Sequence, residues 1–136
     1  MATKIFVNLP VRDLTRSVEF FTKLNFQFNT QFANDHGACM IVGNDIFVML
    51  ITADVFERFT QKAVCDARRH AEVLVSLSAE SPAMIDDMVH RAVLAGGTSS
   101  YEPQDHEWMY VSGFQDLDGH SWEMIYMDPC RLACCL

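Results

Sequence analysis

Apolar and polar positions alternate with different periods along this chain, and each change of period marks an element. Lys4-Ile5-Phe6-Val7-Asn8-Leu9 reads as a strand that Pro10 stops. Asp13 can then cap a helix in which Leu14, Val18, Phe21 and Leu24 recur at helical spacing. Three short strands follow, over about residues 26–32, 39–42 and 45–51. Asn34-Asp35-His36-Gly37 and Gly43-Asn44-Asp45 supply the turn chemistry between them.

After a polar connector with one or two helical turns near residues 55–59, the same order begins again. Residues 72–78 read as a strand, and Ser81-Pro82 opens a helix because Ser caps the first amides and Pro suits the first turn. Met84, Met88, Val89, Ala92 and Val93 form its expected apolar face, and Gly96-Gly97 ends it in a left-handed-tolerant cap. Strands are expected over about residues 98–101, 108–114 and 121–127, with Asp118-Gly119 as the turn before the last. The pattern is thus one five-element unit written twice, about seventy residues apart. It predicts a single α+β domain built of two βαβββ modules, residues 3–51 and 71–128, with a connector at 52–70 and a tail at 129–136. One helix per sheet leaves each sheet a concave face, and two such faces turned together would make a cleft.

Composition narrows the function classes. Of the 136 residues 50% are hydrophobic and 21% charged, a globular balance. The formal charge is -8, and no Lys/Arg run extends beyond Arg68-Arg69, whereas nucleic-acid binding normally wants a basic face. No apolar run approaches the roughly 20 residues that span a bilayer. No targeting segment is visible at the start, and the expectation is a cytoplasmic protein that engages neither nucleic acid nor membrane. The five cysteines, Cys39, Cys65, Cys130, Cys134 and Cys135, are an odd count without a secretory signal and are read as reduced thiols. Three crowd the last seven residues and are read as a frayed tail rather than a metal site.

Two segments carry a family resemblance. Val11-Arg12-Asp13-Leu14-Thr15-Arg16-Ser17-Val18-Glu19-Phe20-Phe21 resembles the opening strand-to-helix segment of the vicinal oxygen chelate superfamily, which includes glyoxalase I, bleomycin-resistance proteins, fosfomycin-resistance enzymes and extradiol dioxygenases. Ala95-Gly96-Gly97 and Asp116-Leu117-Asp118-Gly119-His120-Ser121-Trp122-Glu123 are similar to its closing half. Within it the glyoxalase-related subgroup labelled "predicted lactoylglutathione lyase" looks nearest, through segments 6–11 and 102–105. The resemblance implies the glyoxalase-like fold, a curved mixed sheet around a small-molecule cleft, and a homodimer.

In metal-dependent members of that superfamily four strand residues, usually His and Glu, converge on one divalent ion. Placed on that pattern the positions fall on Phe6, Met49, Leu74 and Glu123, of which only Glu123 is a hard ligand. A lone carboxylate does not hold a divalent ion, so no metal or other cofactor is expected. A shift of one strand step brings Asn8 and Glu72 beside Glu123 and would give a displaced, weak metal site instead.

Phe6, Phe47, Met49, Leu74 and Met127 are the expected cleft lining, suited to an aromatic or aliphatic ligand. Trp108 and Tyr110 are expected to share a strand face and to stack on a planar ligand or a second subunit. Glu123 is the candidate general base. His120 is read as a surface turn residue, His106 as a solvated loop residue and Cys39 as a small buried one. Two functions stay open: a metal-free protein that binds a small organic molecule in an apolar cleft, and a glyoxalase-type lyase or isomerase that uses Glu123 with a weak metal site.

Overall fold

The computed structural model describes residues 4–130, and the tail cysteines Cys134 and Cys135 lie outside them. The chain divides between Asp66 and Ala67 into two units. The first contains β1 (Ile5–Val11), α1 (Leu14–Lys23), β2 (Gln27–Asn29), a single 3-10 turn (Thr30–Phe32), β3 (Gly37–Gly43), β4 (Ile46–Thr52) and α2 (Ala53–Thr60). The second contains β5 (Leu74–Ser78), α3 (Pro82–Leu94), β6 (Thr98–His106), β7 (Met109–Gln115) and β8 (Ser121–Met127).

The sheets repeat one topology. The first has the order β1-β4-β3-β2 and the second β5-β8-β7-β6. In each, the first strand pairs in parallel with the last, and the other pairings are antiparallel. This is the expected α+β arrangement of two similar modules. The expected connector contains an eight-residue helix, α2, which buries Val55 and packs on β1 and β4.

Helices α1 and α3 start where a side chain caps them. Asp13 Oδ1 accepts the Arg16 amide at 3.1 Å, and Ser81 Oγ accepts the Met84 amide at 3.2 Å ahead of Pro82. Gly96, at φ 108°, ends α3. The buried stripe on α1 is Ser17, Phe20, Phe21 and Leu24, rotated from the expected one, so Leu14 and Val18 are only half-buried. On α3 the buried residues are Ile85 and Ala92, with Met84 and Val93 exposed. In both helices the alternative stripe is also apolar, and packing selects between them.

Two strands run further than their prolines suggest. Pro10 lies inside β1 and Pro103 inside β6, both of which are sheet edges where a missing N–H breaks no ladder. The core of the first unit joins Leu9, Val11, Met40, Val48 and Leu50 to the α1 stripe. The core of the second stacks Phe114 on Trp122, centroids 6.2 Å apart, beside Ile85, Ala92 and Met124. Each such side chain contributes about 1.5–3 kcal/mol on burial.

Gly119 makes the β7–β8 turn at φ 88°, and a Cβ there would lie 2.8 Å from the backbone N and Cα of Arg68. Gly119→Ala is therefore expected to lower stability by about 2 kcal/mol, read from the midpoint of urea unfolding. An unchanged midpoint would mean that segment 67–70 does not press on the turn.

Candidate functional site

In the second sheet the hydrogen bond from Tyr110 OH to Asp86 Oδ1, 2.5 Å, identifies the face that α3 covers. Phe114, Trp122 and Met124 share that face with Tyr110 by strand alternation. The opposite face carries Leu74, Ser76, Val111, Gly113, Glu123, Ile125 and Met127.

One row crosses all four strands on that open face. Ser76 of β5 is in register with Glu123 of β8, which faces Gly113 of β7, which in turn faces Tyr101 of β6. Ser76 Oγ donates to Glu123 Oε1 at 2.9 Å, and Tyr101 OH donates to Glu123 Oε2 at 2.9 Å. Gly113 makes the second bond possible, since it puts no side chain between Tyr101 and Glu123. A Cβ on it would stand 2.5 Å from the Trp122 carbonyl oxygen. The β6–β7 register shifts on both sides of Tyr101, and such bulges re-aim a side chain relative to its neighbours. Burial, and then the hydrogen bond to Glu123 and its charge, push the Tyr101 phenol up to about 12. Leu74, 56% exposed, and half-buried Ile125 and Met127 border the row with apolar surface.

In the first sheet, Phe6, Asn8, Phe47 and Met49 lie on one face. Phe6 is opposite Phe47 and Asn8 opposite Met49. The two phenyl rings stack with centroids 5.1 Å apart, and Lys4 Nζ lies 5.8 Å from the centre of the Phe47 ring. Phe6 is 53% exposed. A separate pocket of about 340 Å³ lies between α1 and β3, with Leu14, Val18, Phe28 and Ala38 among its walls, and none of the predicted ligand residues lines it.

Three predicted partners are placed elsewhere. Glu72 precedes β5 and meets His120 Nδ1 at 2.5 Å rather than turning to Glu123. His120 itself is 2% exposed, which corrects its reading as a surface residue. Its amide and that of Asp118 bond Asp116 Oδ1 at 3.0 Å, while the Trp122 indole bonds Oδ2 at 3.0 Å. Burial pushes the Asp116 carboxyl up, against the opposing effects of His120 and these hydrogen bonds. The network fixes the β7–β8 turn and thereby the start of the strand that carries Glu123. Tyr110 is held by Asp86 on the α3 face, so it does not share a surface with Glu123, and Trp108 lies in the β6–β7 turn instead of a strand.

Sequence reasoning passed over Ser76 and Tyr101. Ser76 was in reach, being two residues from Leu74 and so on the same strand face. Tyr101 was not, because bulges on either side break the alternation that would have placed it. Among the described residues, no three His, Cys, Asp or Glu side chains are grouped so as to hold a metal ion.

The neutral phenol of Tyr101 is the form the fold favours. Its contribution to stability is full below the ordinary tyrosine value of about 10 and is lost as pH rises through the folded value. The difference between ultraviolet titrations of the wild type and Tyr101→Phe should show one phenol ionising near 12. In Glu123→Gln that value should fall, yet stay above about 10 because burial is the larger cause. Ionisation near 10 in the wild type would mean that Tyr101 is neither buried nor bonded to Glu123.

Comparison with known proteins follows the same lines. The model of the Glyoxalase/Bleomycin resistance protein/Dioxygenase superfamily matches residues 5–124. No curated protein matches the chain. Among solved structures, a hypothetical protein from S. aureus is 28% identical with a TM-score of 0.80, the match covering 93% of this chain and 94% of that one. A glyoxalase-related enzyme from Fulvimarina pelagi is 17% identical at a TM-score of 0.79, covering 93% and 88%. The fosfomycin resistance protein FosX from Mesorhizobium loti is 16% identical at 0.70, covering 98% and 99%. With its two repeated modules and a family match over most of its length, the chain belongs to the glyoxalase/bleomycin resistance/dioxygenase superfamily.

Proposed function

We propose that this protein binds a small organic molecule on an open apolar sheet face and does so without the divalent ion of its metal-dependent relatives. The observation that carries the reading is the state of the four positions where those relatives hold the ion. Phe6 and Leu74 have no lone pair to offer and Met49 offers only a soft thioether. The fourth, Glu123, already accepts a hydroxyl on each carboxylate oxygen. The residues present do not fit a hard divalent ion. What they do fit is an aromatic or aliphatic body, on the first sheet through the Phe6–Phe47 stack and the adaptable Met49, or on the second through Met127 and the exposed Leu74.

A homodimer and a place beside the lactoylglutathione-lyase-like subgroup belong to the same reading and rest on the sequence resemblance, and a cytoplasmic location rests on the acidic, globular composition. No described helix is long and apolar enough to cross a membrane.

A second reading, an isomerase or lyase, is favoured by one observation: Glu123 is a partly exposed carboxylate with a phenol on one oxygen. Such a pair can take a proton from a carbon acid and hydrogen-bond the oxygen on which charge develops.

Ligand-observed NMR with a set of small aromatic and aliphatic compounds tests the binding function. Phe6→Ala should weaken the compounds that bind by about tenfold, the loss expected when a stacked aromatic contact of about 1.4 kcal/mol is removed. Slow consumption of a bound compound, abolished in Glu123→Gln with the fold intact, would replace binding by catalysis as the function. Binding untouched by Phe6→Ala would put the ligand elsewhere than on this face.

A further inference from the structure

We propose that the Ser76–Glu123–Tyr101 row is a recognition site for a protonated amine or amidinium borne on an apolar body. The inference rests on the small-molecule reading above and names the class of molecule.

The carboxylate of Glu123 has about four lone-pair directions, of which the Ser76 and Tyr101 hydroxyls occupy two. Both bonds are ordinary in length, so Glu123 is fixed in position while keeping one acceptor direction on each oxygen. An ammonium brings three N–H donors and an amidinium brings two parallel ones. Either can use the remaining directions without displacing a hydroxyl. Glu123 is half-buried and Ser76 exposed, so a ligand can reach them.

Charge points the same way. The strands β5, β6, β7 and β8 contain no Lys or Arg, and their formal charges are those of Glu102, Asp105 and Glu123. No cation in the sheet therefore neutralises Glu123, and an anionic ligand would meet only repulsion from it. The Tyr101 ring adds an aromatic surface next to the carboxylate, a setting that favours cations further. Leu74, Ile125 and Met127 lie on the same face, where the apolar part of the molecule would rest. The two hydroxyl bonds also explain how a carboxylate persists on an apolar sheet face: they satisfy it until a cation arrives.

Three probes of one shape separate charge from size: benzamidine, benzamide and benzoate, titrated calorimetrically into the full chain near pH 7. Benzamidine should bind at least about tenfold more tightly than benzamide, as a charge-assisted pair does relative to a neutral one, and benzoate should bind most weakly. Glu123→Gln should abolish the preference for benzamidine, and Tyr101→Phe should reduce it. Glu102→Gln, an exposed acid outside the row, should leave it intact and so separate the site from general attraction to an acidic protein. Thermal unfolding of each variant verifies the fold. Equal binding of benzamidine and benzamide would overturn the proposal while leaving the small-molecule reading in place. A preference that survives Glu123→Gln, or no binding of benzamidine at millimolar concentration, would overturn it as well. Absence of binding by the wider compound set too would sink both.

Discussion

A four-stranded sheet has two faces, and in each unit one helix runs between the first and second strands and covers one of them. Strand alternation does the rest. It sends Leu9, Val48 and Leu50, or Phe114, Trp122 and Met124, beneath the helix, and sends Phe6, Asn8, Phe47 and Met49, or Leu74, Ser76 and Glu123, to the other side. A shift of one residue in any of these strands would exchange core for open face. The parallel pairing of first with last strand sets which open-face residues become neighbours across the chain's two ends of each module. Ser76 and Glu123 are 47 positions apart in sequence and adjacent in the sheet.

Within the second unit the open face is organised around Glu123. A carboxylate on an apolar strand must be satisfied, and here Ser76 and Tyr101 do it from the two edges of the sheet. The phenol reaches it across a glycine that could not be another residue without pressing on the Trp122 carbonyl. On the covered side of the same strand, Trp122 bonds the buried Asp116, which also holds the amides of the preceding turn. Glu123 is thus positioned from both faces of β8, by hydroxyls on one and by an indole-anchored turn on the other.

Much of this was legible in the sequence. The doubled strand-helix-strands order, the Asp13 and Ser81 caps, the Gly96 stop and the Gly119 turn are local signals, and the local backbone follows them. The helix stripes were misjudged because Ile85 and Phe20 sit beside residues that are equally apolar, and period alone does not choose between adjacent stripes. Pro10 misled because the rule against proline in strands depends on being a central strand, a property of the sheet and not of the segment. His120 and Glu72 form a pair at a separation of 48, which no spacing rule anticipates. Tyr101 escaped for a related reason, since its partner is set by bulges that the sequence does not announce.

The central claim is that the last-strand carboxylate is engaged by two hydroxyls of its own sheet where relatives hold an ion. Titration of isotopically labelled protein with manganese(II), followed by NMR of the Glu123, Ser76 and Tyr101 resonances, tests it directly. The account predicts that these signals broaden no more than those of ordinary surface acids such as Glu102 and Asp105. Saturable broadening centred on Glu123 at one equivalent of ion would contradict it.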